Sequence, residues 1–256
     1  MRIISWNVNG LRARIDAVRS LAKEFNPDLL CCQKTRSTAG SLFEIEGYTP
    51  VIIDESPDML GGVATYIRND FPIDMANMNF PMSDWLRDSA CVLTVPSRGA
   101  AFVNAYFPFA ESPNGDWNDH RKIWNREFKH YIKCLSREMP VVICGDMNIV
   151  DYDIDAWDGK SVKTAPGFYL WEHQDFDLLK KEALLADAYR AQHPLERGFT
   201  YFYQNRDEYR DANSGYRIDY FLLSSWLMPQ VKDCRIITTY RDTSSNPILL
   251  DLNDPE

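Results

Sequence analysis

The run Val141-Val142-Ile143-Cys144-Gly145-Asp146-Met147-Asn148-Ile149-Val150 constrains this chain more than any other stretch. Its opening residues, apolar and mostly β-branched, read as a strand buried on both faces that stops at Gly145, where polar groups begin. Asp146 and Asn148 therefore sit at a strand end. Two residues apart on extended backbone, their side chains point the same way, so a carboxylate and an amide converge on one spot in the mouth of a sheet. A carboxylate that can hold a hard cation or a proton, beside an amide that can orient water, suits phosphate ester hydrolysis. The plainer alternative is that Asp146 opens a turn and Asn148 caps it.

The chain has 256 residues, 45% of them hydrophobic and seven of them Trp, enough to fill one large domain spanning 1–256. A net charge of −9 argues against coating nucleic acid indiscriminately, because phosphate neutralisation dominates such binding. Any nucleic-acid site must be a local basic patch on an acidic body. Six Cys without a CxxC pair lie mostly in apolar runs and read as reduced thiols of a cytoplasmic protein. A strand beginning near residue 3 leaves no space for a signal core, and no run approaches the roughly 18 apolar residues of a membrane span. We expect no membrane partner and a monomer.

Arg2 to Gly10 reads as a short strand breaking at Asn7, followed by an amphipathic helix over Arg12 to Glu24 that Pro27 ends. Asp28 to Cys32 is a second buried strand, running into the polar cluster Gln33-Lys34-Thr35-Arg36. Two strands that both stop in polar residues, joined by a helix, suggest that those ends share one ligand-bearing edge. Short β patterns follow at Gly61–Arg68, Cys91–Val95 and Ala101–Tyr106, then a helix over Asp119 to Glu138. Beyond the opening run come an acidic stretch from Asp151 to Asp158, a helix near Gln174 to Ala188, and strands at Gly198–Tyr203, Tyr216–Leu223, Arg235–Thr238 and Ile248–Leu252. The acidic stretch is either a metal-binding loop or a solvated turn. Strand groups separated by helices predict two packed sheets with helices outside.

Asn7, Tyr106, Asp146, Asn148 and Asp219 each fall at or near a strand end. On one rim they would supply two carboxylates, two amides and a phenol, a set suited to metal-assisted attack of water on a phosphodiester. Singly, each also has a structural explanation. Phe199, Tyr201, Phe202, Tyr216 and Ile218, near Arg210 and Arg217, either stack bases or form a sheet core with exposed arginines. The four His are scattered, without metal-ligand spacing.

Together these residues resemble the endonuclease/exonuclease/phosphatase superfamily, specifically the exonuclease III-like AP endonucleases. Ile4 to Ala13, Asn104 to Pro108, Gly145 to Ile149, Gly215 to Phe221 and Asn246 to Ile248 carry the resemblance, in order along nearly the whole chain. It implies a four-layered α/β sandwich of two packed mixed β-sheets flanked by helices, and Mg²⁺-dependent cleavage of DNA 5′ to abasic sites. By resemblance Asn7 organises the metal end, Asp146 orients or deprotonates the attacking water, and Asn148 binds phosphate. Tyr106 faces the scissile phosphate, and Asp219 supports the network. Asn9, Arg12, Tyr201, Tyr216, Arg217 and Ile218 fall where the family contacts DNA, the pocket for the flipped abasic sugar included.

Four departures count against catalysis. Lys34 stands where the family places a metal-binding Glu, and an ammonium has no lone pair for Mg²⁺. Ser244 and Ser245 replace the Asp and His of the closing motif, and Phe109 replaces a polar phosphate contact. Asp88-Ser89-Ala90 replaces a further segment, acid-Gly-Arg. The resemblance, so altered, implies a DNA-binding protein, with duplex and possibly abasic DNA as partner, whose metal and acid–base site is degraded. The alternative is an active Mg²⁺-dependent repair nuclease with a substitute ligand from Asp54, Asp58 or the Asp151 to Asp158 loop. A small-molecule phosphatase is a third.

Overall fold

The computed structural model describes residues 1–36, 43–53, 61–73, 82–88, 91–111, 117–158 and 165–253. Two mixed sheets dominate. The larger orders its strands β12 (Val231–Ile236), β13 (Ile248–Leu252), β1 (Arg2–Asn7), β2 (Leu29–Gln33), β4 (Val63–Arg68) and β3 (Tyr48–Ile53). The second runs β5 (Val92–Ser97), β6 (Ala100–Tyr106), β7 (Val141–Asp146), β11 (Asp219–Ser224) and β8 (Leu185–Asp187). In each, one central pair is parallel, β1 with β2 and β6 with β7, while the other pairings are antiparallel.

The layering follows from the period-2 alternation of side chains along each strand. Ile3, Cys31, Val142, Cys144, Phe221 and their neighbours form a core between the sheets. Alternate residues of the first sheet, Ile4, Leu30 and Cys32, bury instead under helix α1 (Leu11–Phe25), which supplies Leu11, Val18 and Leu21. Those of the second, Val141 and Ile143, pack beyond the short α2 (Asp84–Asp88) against α3 (Trp117–Glu138) through Trp124, Phe128 and Leu135, and against α4 (Leu170–Glu182) through Phe176 and Leu179. Helix, sheet, sheet, helix is the four-layered sandwich expected. Asn26, in the left-handed conformation, caps α1 just before Pro27.

Several boundaries differ from the sequence expectation. The helix predicted over Gln174 to Ala188 starts earlier, at Leu170, and ends at Glu182; its remainder is β8 and the short α5 (Ala188–Gln192). The single strand over Tyr216–Leu223 is two, β10 (Gly215–Tyr216) and β11, and Gly198–Tyr203 yields only β9 (Tyr201–Phe202), which pairs with β10. β3 went unseen because Pro50 interrupts its pattern; as the outermost strand, it tolerates the missing donor.

Half of the acidic stretch turns inward, while Asp153 stays exposed. Asp155 is fully buried and paired with Arg217 (2.8 Å) and Arg190, while Asp151 pairs with Lys180 (2.7 Å). Among the described residues no helix is long and apolar enough to cross a membrane. All six Cys are free thiols.

Candidate functional site

On the inner face of each central strand, apolar residues give way to polar ones toward one end. β1 runs Ile3, Ser5, Asn7; β2 runs Leu29, Cys31, Gln33; β6 runs Phe102, Asn104, Tyr106; β7 runs Val142, Cys144, Asp146. Cross-strand register sets Tyr106 beside Asp146, and Asp146 beside Asp219 at the start of antiparallel β11, so three candidate residues form one transverse row. Asn7 reaches this row from the opposite sheet, its Nδ2 donating to Asp146 Oδ2 at 2.7 Å. Just below, Gln33 Nε2 donates to Asn104 Oδ1 (2.7 Å), a polar tie between the sheets at the base of the cleft.

Backbone geometry fixes Asp146. Gly145 has φ 141°, and a Cβ there would lie 1.8 Å from the Ala105 carbonyl oxygen, so only glycine lets β7 approach β6 so closely. Beyond the strand, the Asn148 N–H donates to Asp146 Oδ1 (2.9 Å), and the Asn148 amide donates to the Phe107 carbonyl (2.8 Å). Arg121 of α3, fully buried, braces the same two segments by donating to the carbonyls of Pro108 and Met147. Sequence reading missed Arg121, which looks like any surface arginine of a long helix.

Electrostatics follow burial. Burial pushes the Asp146 carboxyl up, although Asn7, the Asn148 N–H, Lys34 and Arg121 all oppose the shift. Burial, then the Asp146 charge, push Asp219 well above the usual carboxylate range, and both its oxygens lack hydrogen-bond partners among the described residues. The Tyr106 phenol is likewise driven up by burial and by Asp146, and stays neutral.

Above this row opens a cleft of about 710 Å³. Asn7, Asn9, Lys34, Tyr106, Phe109, Asp146, Asn148, Tyr201, Tyr216, Ile218 and Ser244 all line it. Asp219 lies beneath, and Ser245 is buried (1% exposed), its carbonyl accepting the Trp6 indole N–H at 2.9 Å. Phe109 stands 56% exposed on the rim.

One expected DNA contact is buried away from the cleft, and another lies on the surface outside it. Arg217 does not reach the cleft: it is buried (0% exposed), donating to Asp155 and Asp187 (2.7 Å) and stacked 4.4 Å over Tyr220. An arginine beside aromatics in sequence was here an internal tie. Arg12 is exposed on α1, over the Phe43 ring, and does not line the cleft; Arg14 does, together with Arg36. Two residues apart on a helix are about 200° apart around its axis, so Arg12 and Arg14 do not both face the cleft. Arg36 stood within the polar cluster after β2, two residues from Lys34, and that spacing was the available signal. Phe168 and Tyr203, two further aromatics of the cleft, carried no sequence signal.

The cleft lining is a poor donor set for Mg²⁺, which takes several oxygen ligands, because Asp146 is the one carboxylate among its described residues and Lys34 stands beside it. The oxygens of Asp146 and Asn7 each already accept one hydrogen bond, that of Asn7 from Asn9 N–H (3.0 Å), and the Asp219 carboxyl, unpartnered among the described residues, lies beneath the cleft rather than in its lining. Lys34 presents an amine close enough to act on the Asp146 charge, although burial and then the Arg36 charge lower its pKa against the pull of Asp146. No cluster of three His, Cys, Asp or Glu that could hold a metal occurs among the described residues. From the acidic stretch, Asp151 and Asp155 are committed to internal pairs, and none of its members lines the cleft. Asp54, Asp58, Ser89 and Ala90 lie outside the described residues.

Known proteins share this architecture. The model of the Endonuclease/Exonuclease/phosphatase family matches residues 4–234. The "DNA repair nuclease APEX1" of Danio rerio is 33% identical over 260 residues, covering 98% of this chain and 81% of that protein. The "Exodeoxyribonuclease" of Bacillus subtilis is 28% identical over 257 residues, covering 99% of this chain and all of the relative. Among solved structures, an AP endonuclease from Archaeoglobus fulgidus superposes with a TM-score of 0.88 at 22% identity, covering 99% of this chain and 100% of that one. A 3′ phosphatase from Neisseria, bound to a product DNA hairpin, gives 0.83 at 23% identity, covering 99% of each chain. These two structural likenesses speak for the fold.

Proposed function

This chain belongs to the Endonuclease/Exonuclease/phosphatase family, in its exonuclease III-like AP endonuclease branch, and from that premise we propose that it is a DNA-binding member whose hydrolytic centre is degraded. The observation that carries this reading is Lys34, whose side chain enters the cleft beside Asp146, where catalysis in a generally magnesium-dependent family calls for a divalent ion. The closing loop adds to it. Ser244 faces the cleft and Ser245 lies buried behind it, so neither an imidazole nor its carboxylate partner is offered to a leaving group. Removing one acid–base group typically costs roughly 10²- to 10⁴-fold in rate, and here the metal position has changed as well.

DNA is the proposed ligand, abasic duplex included, because relatives carry the names of DNA repair nucleases and of an apurinic or apyrimidinic site endonuclease. The cleft's aromatic wall of Phe168, Tyr201 and Tyr216 offers apolar contact to an extruded sugar or base. A second reading, an active nuclease, draws on the ordered Asn7–Asp146–Asn148 cluster, which still holds a carboxylate toward the cleft beside Tyr106. There Asp146 would orient a water against a phosphate held by Asn148.

An abasic-site duplex incubated with the protein in Mg²⁺ or Mn²⁺ separates the two. Product formation at the no-protein background is expected. Robust cleavage that Asp146→Ala abolishes establishes the second reading instead. With the pocket intact, the set Lys34→Glu, Ser244→Asp and Ser245→His raises cleavage by roughly 10²-fold or more.

A further inference from the structure

Resting on the family reading above, we propose that this cleft grips a DNA phosphate with fixed side-chain cations, Lys34, Arg36 and Arg14, so that tight binding needs no divalent ion. The mismatch between the donor set and Mg²⁺ is then not only a loss. It exchanges a bound metal for a built-in anion site.

Lys34, Thr35 and Arg36 lie just past β2, clamped from both sides by backbone hydrogen bonds. Gly10 N–H donates to Lys34 O (2.8 Å) and Leu11 N–H to Thr35 O (2.7 Å); Thr35 N–H donates to Gly62 O (3.1 Å) and Arg36 N–H to Gly61 O (3.2 Å). Within this clamp Lys34 and Arg36 both adopt left-handed backbone, φ 52° and 48°. L-residues with a Cβ adopt that conformation at a cost, and here it turns two alternate side chains into one cleft. Arg14 arrives from the first turns of α1, its Nε buried without a hydrogen-bond partner among the described residues.

None of the three makes an ion pair with a described carboxylate, whereas Arg190, Arg217, Arg235 and Arg241 elsewhere are all committed to Asp partners. Asp146 is the one carboxylate among the described cleft-lining residues, so the cleft sets three basic side chains against one acid on a chain of net charge −9. Guanidinium and ammonium groups left without carboxylates are phosphate ligands. The same charges repel a divalent cation from Asp146. Tyr106 and Asn148, lining the same cleft, add a neutral hydroxyl and an amide for the remaining phosphate oxygens.

The test is binding of a fluorescent duplex bearing a tetrahydrofuran abasic analogue, read by anisotropy in EDTA and in Mg²⁺ at matched ionic strength. The dissociation constants should agree within about twofold. In EDTA, Lys34→Gln and Arg36→Gln should each flatten the slope of log affinity against log salt by about 0.9, the value for one lost phosphate contact. Lys34→Glu should weaken binding about tenfold or more in EDTA and recover it on addition of Mg²⁺ or Mn²⁺. Thermal unfolding of each variant confirms that the comparison is between folded proteins.

Binding that tightens tenfold or more with Mg²⁺, salt slopes that Lys34→Gln and Arg36→Gln leave unchanged, or a site-bound Mn²⁺ signal by electron paramagnetic resonance in the unmodified protein overturns the proposal. Its fate is separable from that of the degraded-nuclease reading. Metal-independent binding together with DNA cleavage sustains the cationic site and removes that reading; metal-dependent binding without cleavage does the reverse.

Discussion

The two walls of the cleft come from different sheets and differ in chemistry. The five-stranded sheet contributes Tyr106, Asp146 and Asp219 as one cross-strand row, a phenol and two carboxyls pressed toward their neutral forms by burial. The six-stranded sheet contributes Asn7 from β1 and, just past β2, the cations Lys34 and Arg36. The first wall keeps the carboxylate that would place a water, with Tyr106 and Asn148 near it, and the second carries the basic side chains proposed to grip a phosphate. A scaffold of two sheets allows such a division, because each wall is fixed by its own strand register and either can change without disturbing the other's pairing.

The steepest test of that division acts on the row itself. Gly145→Ala drives a methyl group into the Ala105 carbonyl, with no flexible side chain to yield. A backbone clash between two central strands should cost at least about 4 kcal/mol, lowering Tm by roughly 10 °C or more. A variant that melts within a degree or two of the parent protein would mean that β6 and β7 can separate, and that the row is less rigid than its register implies.

Next in size is Arg217→Leu. Asp155 would keep Arg190 but lose its bidentate partner in the interior, and Asp187 would lose an ion pair as well. Breaking a buried pair costs about 3–5 kcal/mol. Stability should fall by that amount while DNA affinity, measured below the melting transition, stays within about twofold, since this arginine carries no phosphate contact. A large loss of affinity without loss of stability would return Arg217 to the interface.

These two residues also mark what the sequence could and could not disclose. The inner-face successions Ile3-Ser5-Asn7 and Val142-Cys144-Asp146 were legible because a strand's period of two is rigid, and each polar end announced a rim. The partnership of Asp155 with Arg217 was not, since 62 residues separate them and four aspartates in eight residues look solvated. Pro50 hid β3 for an equally local reason. The shift from Arg12 to Arg14 needed the rotational phase of α1, which pattern alone left free. The acid-to-base exchange at Lys34 was plain from the motif, but its company, Arg36 and Arg14, is a product of the fold.

Asp219 sharpens the contrast through pH. Its folded-state carboxyl sits well above the unfolded value, so the stability it contributes is fully present below the unfolded value near 3.8 and is lost as pH rises through the folded one. Asp219→Asn removes that loss. The variant should melt above the parent at pH 8, and the two should converge near pH 4. A difference independent of pH would show that Asp219 is charged with a compensating partner, and that the first wall is not held toward neutrality.

The smallest effect discriminates most finely, because it compares two arginines on one helix. Arg14→Gln should flatten the salt dependence of DNA binding by about 0.9 in the log–log slope, while Arg12→Gln, on the opposite side of α1, should leave it unchanged. Arg12 is exposed, so its substitution should move stability by no more than about 0.5 kcal/mol; with thermal unfolding showing the part-buried Arg14 variant folded, a difference in slope between the two reads the direction of the cationic wall. Equal flattening by the two would mean that DNA wraps the outer face of α1, and that the second wall extends beyond the cleft.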